Sequence, residues 1–123
     1  MKKLDFDRMS DEELLNHFIQ AAQKMGAAVL DSEVRQANRM YDVLRDIDMV
    51  LRLRGEQTRL KLMPLLKHNN RFVRYYAAKK LLGLVPDRAR AVIEWNYKYR
   101  FDALAGDAGM TLHNLDTGFY KPD

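Results

Sequence analysis

The chain has 123 residues, 47% of them hydrophobic and 31% charged, a length and balance that suit one folded helical or mixed domain and exclude a disordered polymer. With no cysteine it has no disulfide, thiolate nucleophile or thiolate metal site, and no stretch approaches the ~18 apolar residues of a membrane helix. The formal charge of +4 is unevenly spread: residues 1–56 hold 9 Lys/Arg against 11 Asp/Glu, whereas residues 57–100 hold 11 Lys/Arg against only Asp87 and Glu94. Such a basic block points to an acidic partner, either a protein face or nucleic acid. The plainer alternative is that Lys and Arg merely solvate helix surfaces.

Lys2 and Lys3 resemble the start of a signal peptide, but Asp5, Asp7 and Arg8 interrupt the apolar run that would follow, so a cytoplasmic protein is expected. The first helix opens at Ser10, where Ser10-Asp11-Glu12-Glu13 reads as a capping box, and Leu14, Leu15, Phe18, Ile19 and Ala22 follow at helical spacing. Gly26 is expected to end or loosen it near Met25. Asp31 or Ser32 would cap a second helix reaching Arg54 and stopping at Gly55, with Val34, Ala37, Tyr41, Leu44, Ile47 and Leu51 inward. Its opposite face carries Arg39 with Asp42 and Asp48 with Arg52. Asp42 and Asp46, one turn apart among arginines, read as a solvated salt-bridge face and not as a metal or acid/base pair.

A third helix covers about Gln57 to Lys67 and is bent by Pro64. Asn69-Asn70 supplies a turn and the cap of a fourth, whose Val73, Tyr76, Ala77, Leu81 and Leu84, with the stem of Lys80, share a face. Pro86 opens a fifth helix with Val92, Trp95 and Tyr99 as its buried stripe, flanked by Ala89 and Ile93. A sixth helix covers about Asp107 to Leu115, capped by Asp107, and residues 118–123 form a tail. The expected fold is all-α, with about six helices.

Sliding the chain by 31 residues sets Leu62 on Ile93, Val73 on Leu104, Ala77 on Ala108, Ala78 on Gly109, Leu81 on Leu112 and Leu84 on Leu115. That register argues for two copies of one helical hairpin, each needing a neighbour to bury its second face. Leu65-Leu66, Asn70, Val73-Arg74, Ala77-Ala78, Leu81-Leu82 and Pro86 together resemble a HEAT repeat of the armadillo-like class. The second copy departs from the pattern, with Ala105 where the first has Arg74. The resemblance covers residues 57–117 and implies an α-solenoid fragment capped by the hairpin of residues 10–54 within a single domain. The whole chain, through Asp107-Ala108-Gly109-Met110-Thr111-Leu112, Leu115-Asp116 and Gly118, also resembles a family of small bacterial proteins known only as a domain of unknown function. In HEAT repeats the second helix of each hairpin lines the binding face, while the repeated arginine, here Arg74, braces neighbouring repeats.

Chemistry finds little material. Ser10 and Ser32 sit at helix starts, and His17, His68 and His113 lie in different helices without metal-ligand spacing. Gly106-Asp107-Ala108-Gly109 lacks the lysine of a phosphate loop. No enzyme, metal or cofactor is expected. The candidate surface is Arg71, Tyr75 and Lys79, spaced by four and placed opposite Val73 and Ala77, with Arg90 and Tyr97 of the next helix extending it. Basic groups around an aromatic suit an interface. The competing reading packs Tyr75 under the neighbouring hairpin and leaves the basic groups to water. The leading expectation is a small protein-binding or regulatory module docking an acidic protein or peptide. The alternative is nucleic-acid binding through the same block, and an enzyme comes a distant third.

Overall fold

Ser10 begins the helical part of the chain as its sequence requires. Its hydroxyl accepts from the Glu13 N–H at 3.1 Å, and the Glu13 carboxylate accepts from the Ser10 N–H at 3.2 Å, so two otherwise orphaned donors are satisfied reciprocally. The computed structural model describes residues 5–123, and Lys2 and Lys3 lie outside them. Among the described residues every regular element is helical: a 3-10 turn over Phe6–Arg8, then α1 (Asp11–Leu30), α2 (Val34–Arg54), α3 (Glu56–Arg59, continuing as a 3-10 segment over Leu60–Lys67), α4 (Arg71–Leu81), α5 (Pro86–Tyr99) and α6 (Ala103–Asp116).

α1 does not stop near Met25. It runs through Gly26 to Leu30, because the ring of Phe72 from α4 lies on that glycine: a Cβ there would sit 2.1 Å from Phe72 Cγ. Gly26 therefore marks a close approach of two helices and not a helix end. The turn that follows uses Ser32 in the left-handed region (φ 58°), with the Glu33 N–H donating to the Ala28 carbonyl at 2.8 Å. Neither Asp31 nor Ser32 caps α2 with its side chain.

α1 and α2 pack on each other through Leu14, Phe18 and Ala22 on one side and Leu44, Ile47 and Leu51 on the other. The outer turns of the expected α2 stripe, Val34 and Tyr41, stay exposed, whereas Asp48 is buried, accepting from Arg52 Nε at 2.8 Å. Gly55 closes α2 at φ 118°, a conformation that favours glycine. Arg54 then ties the far end of α2 to the start of α1, donating to Asp11 at 2.7 Å and to the Met9 carbonyl at 2.6 Å.

The segment after α3 tightens to 3-10 geometry, in keeping with Pro64, which has no N–H to give an α-helical bond. Asn70 caps α4 as expected, its side-chain oxygen accepting from the Phe72 and Val73 N–H groups. α4 is the hub: it packs on α1, on the 3-10 segment and on α5, and it is buried on more than one face through Val73, Tyr75, Tyr76, Ala77, Ala78 and Leu81. α6 starts at Asp102, whose carboxylate accepts from the Ala105 N–H at 2.9 Å, five residues earlier than an Asp107 cap would place it. Four of the pairs set 31 residues apart are buried at both positions: Leu62 and Ile93, Val73 and Leu104, Ala77 and Ala108, and Leu81 and Leu112.

α5 is turned relative to the expected stripe. Its core-facing residues are Ala89, Ile93 and Asn96, so Trp95 (37% exposed) and Tyr99 (58%) lie at the surface. A buried asparagine is tolerated because both ends of its amide are used: Oδ1 accepts from Arg71 Nε at 2.7 Å and Nδ2 donates to the Val92 carbonyl at 3.0 Å.

Candidate functional site

The line of Arg71, Tyr75 and Lys79 does not face solvent. α6 lies along it and answers each member with an aspartate. Arg71 holds Asp102 with two bonds of 2.6 and 3.0 Å, the fork-to-carboxylate geometry in which guanidinium pairs are strongest. The Tyr75 hydroxyl donates to the Asp107 carboxylate, and Lys79 Nζ stands 3.2 Å from the same carboxylate. Tyr75 is fully buried, and burial, reinforced by the charge of Asp107, pushes its phenol well above the ordinary tyrosine range. The Arg71 hydrogen bonds hold the Asp102 carboxyl down to about 2, helped by the Ala105 N–H and opposed by desolvation. The acidic partner of this basic stripe is thus the chain's own sixth helix.

Arg90 and Tyr97 are brought together, but elsewhere, in a shallow groove between α5 and α6. Arg90 is spoken for, pairing with Asp116 at 2.9 Å and Glu94 at 3.4 Å. Tyr97 is exposed along one edge, and its ring lies over Gly109, where a Cβ would come within 2.8 Å of it.

A cluster of aromatics with cations that no carboxylate pairs lies instead at the C-terminal end of α5. Arg74 and Arg100 both lie against the Trp95 ring, with guanidinium carbons 5.5 and 5.3 Å from its centroid. Tyr99 stands 6.0 Å from Trp95 centre to centre, Lys98 Nζ lies 5.3 Å from the Tyr99 centroid, and Phe101 is completely exposed. Arg74 is tethered by one nitrogen to the carbonyls of His68 (2.8 Å) and Asn69 (3.1 Å), bracing the turn before α4. Among the described residues none of Arg74, Lys98 and Arg100 has a carboxylate within salt-bridge distance. Helical spacing alone places Trp95 in the core. The signal that would have found the cluster is the unbroken run Trp95-Asn96-Tyr97-Lys98-Tyr99-Arg100-Phe101, in which aromatics alternate with cations from Tyr97 on toward the helix end.

A second concavity, of about 180 Å³, opens between α1, α2 and α4. Met25, Val29 and Leu44 give it apolar walls, Tyr41 and Tyr76 line it with rings, Lys79 and Lys80 reach it from α4, and Asp107 reaches it from α6. Burial lowers the proton affinity of Lys80, only partly offset by the charge of Asp48.

Three of the serine and histidine side chains have local structural roles. Ser10 caps α1, His68 Nδ1 accepts from the Asn70 N–H at 3.0 Å, and His17 packs edge-on against Phe6. Among the described residues no group of three or more His, Asp or Glu side chains has metal-binding geometry, and no helix is long and apolar enough to cross a membrane.

Comparison with known proteins places this geometry among relatives. A family model described as "Domain of unknown function (DUF2019)" matches residues 12–116. The crystal structure of the protein RPA1889 from Rhodopseudomonas palustris CGA009 is similar at a TM-score of 0.88 and 33% sequence identity, over 98% of this chain and 100% of that one. No curated protein matches the chain.

Proposed function

The chain belongs to the DUF2019 family, and from that premise we propose that it is a small helical interaction module that docks an acidic segment of a partner protein on the Trp95 end of α5. The observation that carries the reading is the pair of guanidinium groups of Arg74 and Arg100 held against one exposed tryptophan without a carboxylate partner. Arginine and large aromatics are the residues on which binding energy concentrates, and a guanidinium already stacked on a ring is pre-organised for a carboxylate. Phe101, Tyr99 and Lys98 supply an apolar and cationic rim around it.

Nucleic-acid binding is the second reading, favoured by the surplus positive charge of residues 57–100 and by aromatics beside it. It is the weaker of the two on geometry. A base stacking on Trp95 has to displace a guanidinium already lying against the ring, whereas a carboxylate pairs with a guanidinium where it stands. The proposal includes the architecture: residues 57–117 as two HEAT-like hairpins, capped by residues 10–54 in one domain. The burial that repeats every 31 residues supports it. It also includes a binding role in place of an enzymatic one, and a cytoplasmic setting.

The test is fluorescence anisotropy with two labelled probes, a Glu-rich peptide carrying interspersed Leu and Phe, and a single-stranded oligonucleotide, at low and physiological salt. The peptide is expected to bind, and the Lys98→Glu/Arg100→Glu variant, altered only at exposed positions, to lose that binding with its circular dichroism unchanged. Undiminished peptide binding by the variant, or binding of the oligonucleotide alone, would overturn the reading.

A further inference from the structure

The concavity between α1, α2 and α4 has features that the docking surface does not use. Its volume of about 180 Å³ compares with the ~150 Å³ apolar cavity that is known to take benzene, so it suits a body of one ring or a short chain. The walls from Val29 and Leu44 and the rings of Tyr41 and Tyr76 favour such an apolar body over a sugar or a phosphate ester. Two lysines and the Asp107 carboxylate stand at its polar side, and the two lysines differ. Lys79 is neutralised by Asp107 at 3.2 Å, whereas Lys80 has no carboxylate within salt-bridge distance among the described residues. The Lys80 ammonium lies 5.9 Å from the Tyr41 ring, against the aromatic wall of the cleft.

We propose that this cleft binds a small monoanion with an apolar body, a benzoate-like or short-chain carboxylate, whose charge is met by Lys80. A second cation is disfavoured by the ammonium, whose burial the charge of Asp48 offsets only in part, and a neutral ligand leaves that ammonium desolvated without a contact partner. A carboxylate supplies a contact countercharge while its hydrocarbon part covers the walls. Tyr76 also lines the cleft, and its hydroxyl is the second donor on hand. Burial already disfavours the charged form of Lys80, so a bound carboxylate relieves a cost that the free protein carries. The site is separate from the Trp95 surface and stands or falls independently of it.

The test is a titration followed by the methyl resonances of Met25, Val29 and Leu44, using benzoate and, as its neutral isostere, benzyl alcohol. Benzoate is expected to shift these methyls saturably and to bind on the order of 10-fold more tightly than benzyl alcohol, the range of one charge-assisted hydrogen bond. Lys80→Met, which keeps the stem, is expected to abolish the difference between the two probes. Should that variant not fold, the comparison of the probes on the unaltered protein decides. Equal affinity for the two probes, no saturable shift with benzoate into the tens of millimolar, shifts centred on Trp95 instead of the cleft, or a Lys80→Met variant that keeps the preference would each overturn the proposal.

Discussion

Replacing Asp102 by Asn isolates the electrostatic lock between α4 and α6. Asn is isosteric and a good helix cap, so the bond from the Ala105 N–H survives and the carboxylate charge facing Arg71 is what disappears. The native structure holds the Asp102 carboxyl at about 2, against an ordinary 3.8, with the Arg71 hydrogen bonds as the main cause. At about 1.4 kcal/mol for each tenfold change in proton affinity, that difference corresponds to about 2.5 kcal/mol. Asp102 is 27% exposed, and solvent screening brings the expected figure to about 2 kcal/mol. Because the folded state depresses this pKa, the stabilisation is complete above the unfolded value and is lost as pH falls from about 5 toward 2. Urea denaturation of both proteins across that range is the assay. The gap between wild type and Asp102→Asn should be about 2 kcal/mol at pH 7 and close toward zero near pH 2. A gap that does not change with pH, or one below about 0.5 kcal/mol at pH 7, would mean that the Arg71–Asp102 pair does not lock α4 to α6.

Gly26→Ala should destabilise the fold by about 2 kcal/mol in thermal or urea unfolding, because the clash with Phe72 outweighs the roughly 1 kcal/mol of helix propensity that alanine gains. Tyr75→Phe should cost about 1–2 kcal/mol in the same assays, the loss of one buried hydroxyl bond to a carboxylate, and leave acidic-peptide affinity unchanged. Phe101→Ala should behave in the opposite way: the ring is wholly exposed, so stability stays within about 0.5 kcal/mol while peptide anisotropy falls.

The helices were legible in the chain wherever a cap or a breaker marked them. Ser10 with Glu13, Gly55, Asn70 and Pro86 all act as their residue types dictate, because capping is a local matter of one side chain and a few backbone groups. The facing of each helix was harder, since it depends on what the neighbour brings. Tyr75 between Arg71 and Lys79 reads as a solvated stripe until Asp102 and Asp107 are seen to lie against it, and those residues stand about 30 positions away. Of the two readings open for Tyr75, packing under the neighbouring hairpin is the one the structure has. α5 misleads for the complementary reason. Binary patterning puts a tryptophan inward before an asparagine, but Asn96 finds Arg71 and the Val92 carbonyl, and Trp95 finds two guanidiniums outside. Gly26 similarly reads as a helix breaker because only the fold reveals Phe72 resting on it.

Trp95, at the heart of the proposed docking surface, is the chain's one tryptophan, so its intrinsic fluorescence reports on that surface without a label. Selective tryptophan excitation during titration with the Glu-rich peptide is the most direct measurement. A saturable change in intensity or wavelength that weakens with salt, and that vanishes in Lys98→Glu/Arg100→Glu, is the predicted result. An emission spectrum indifferent to the peptide while anisotropy shows it bound would place the docking site elsewhere on the molecule and contradict the proposal.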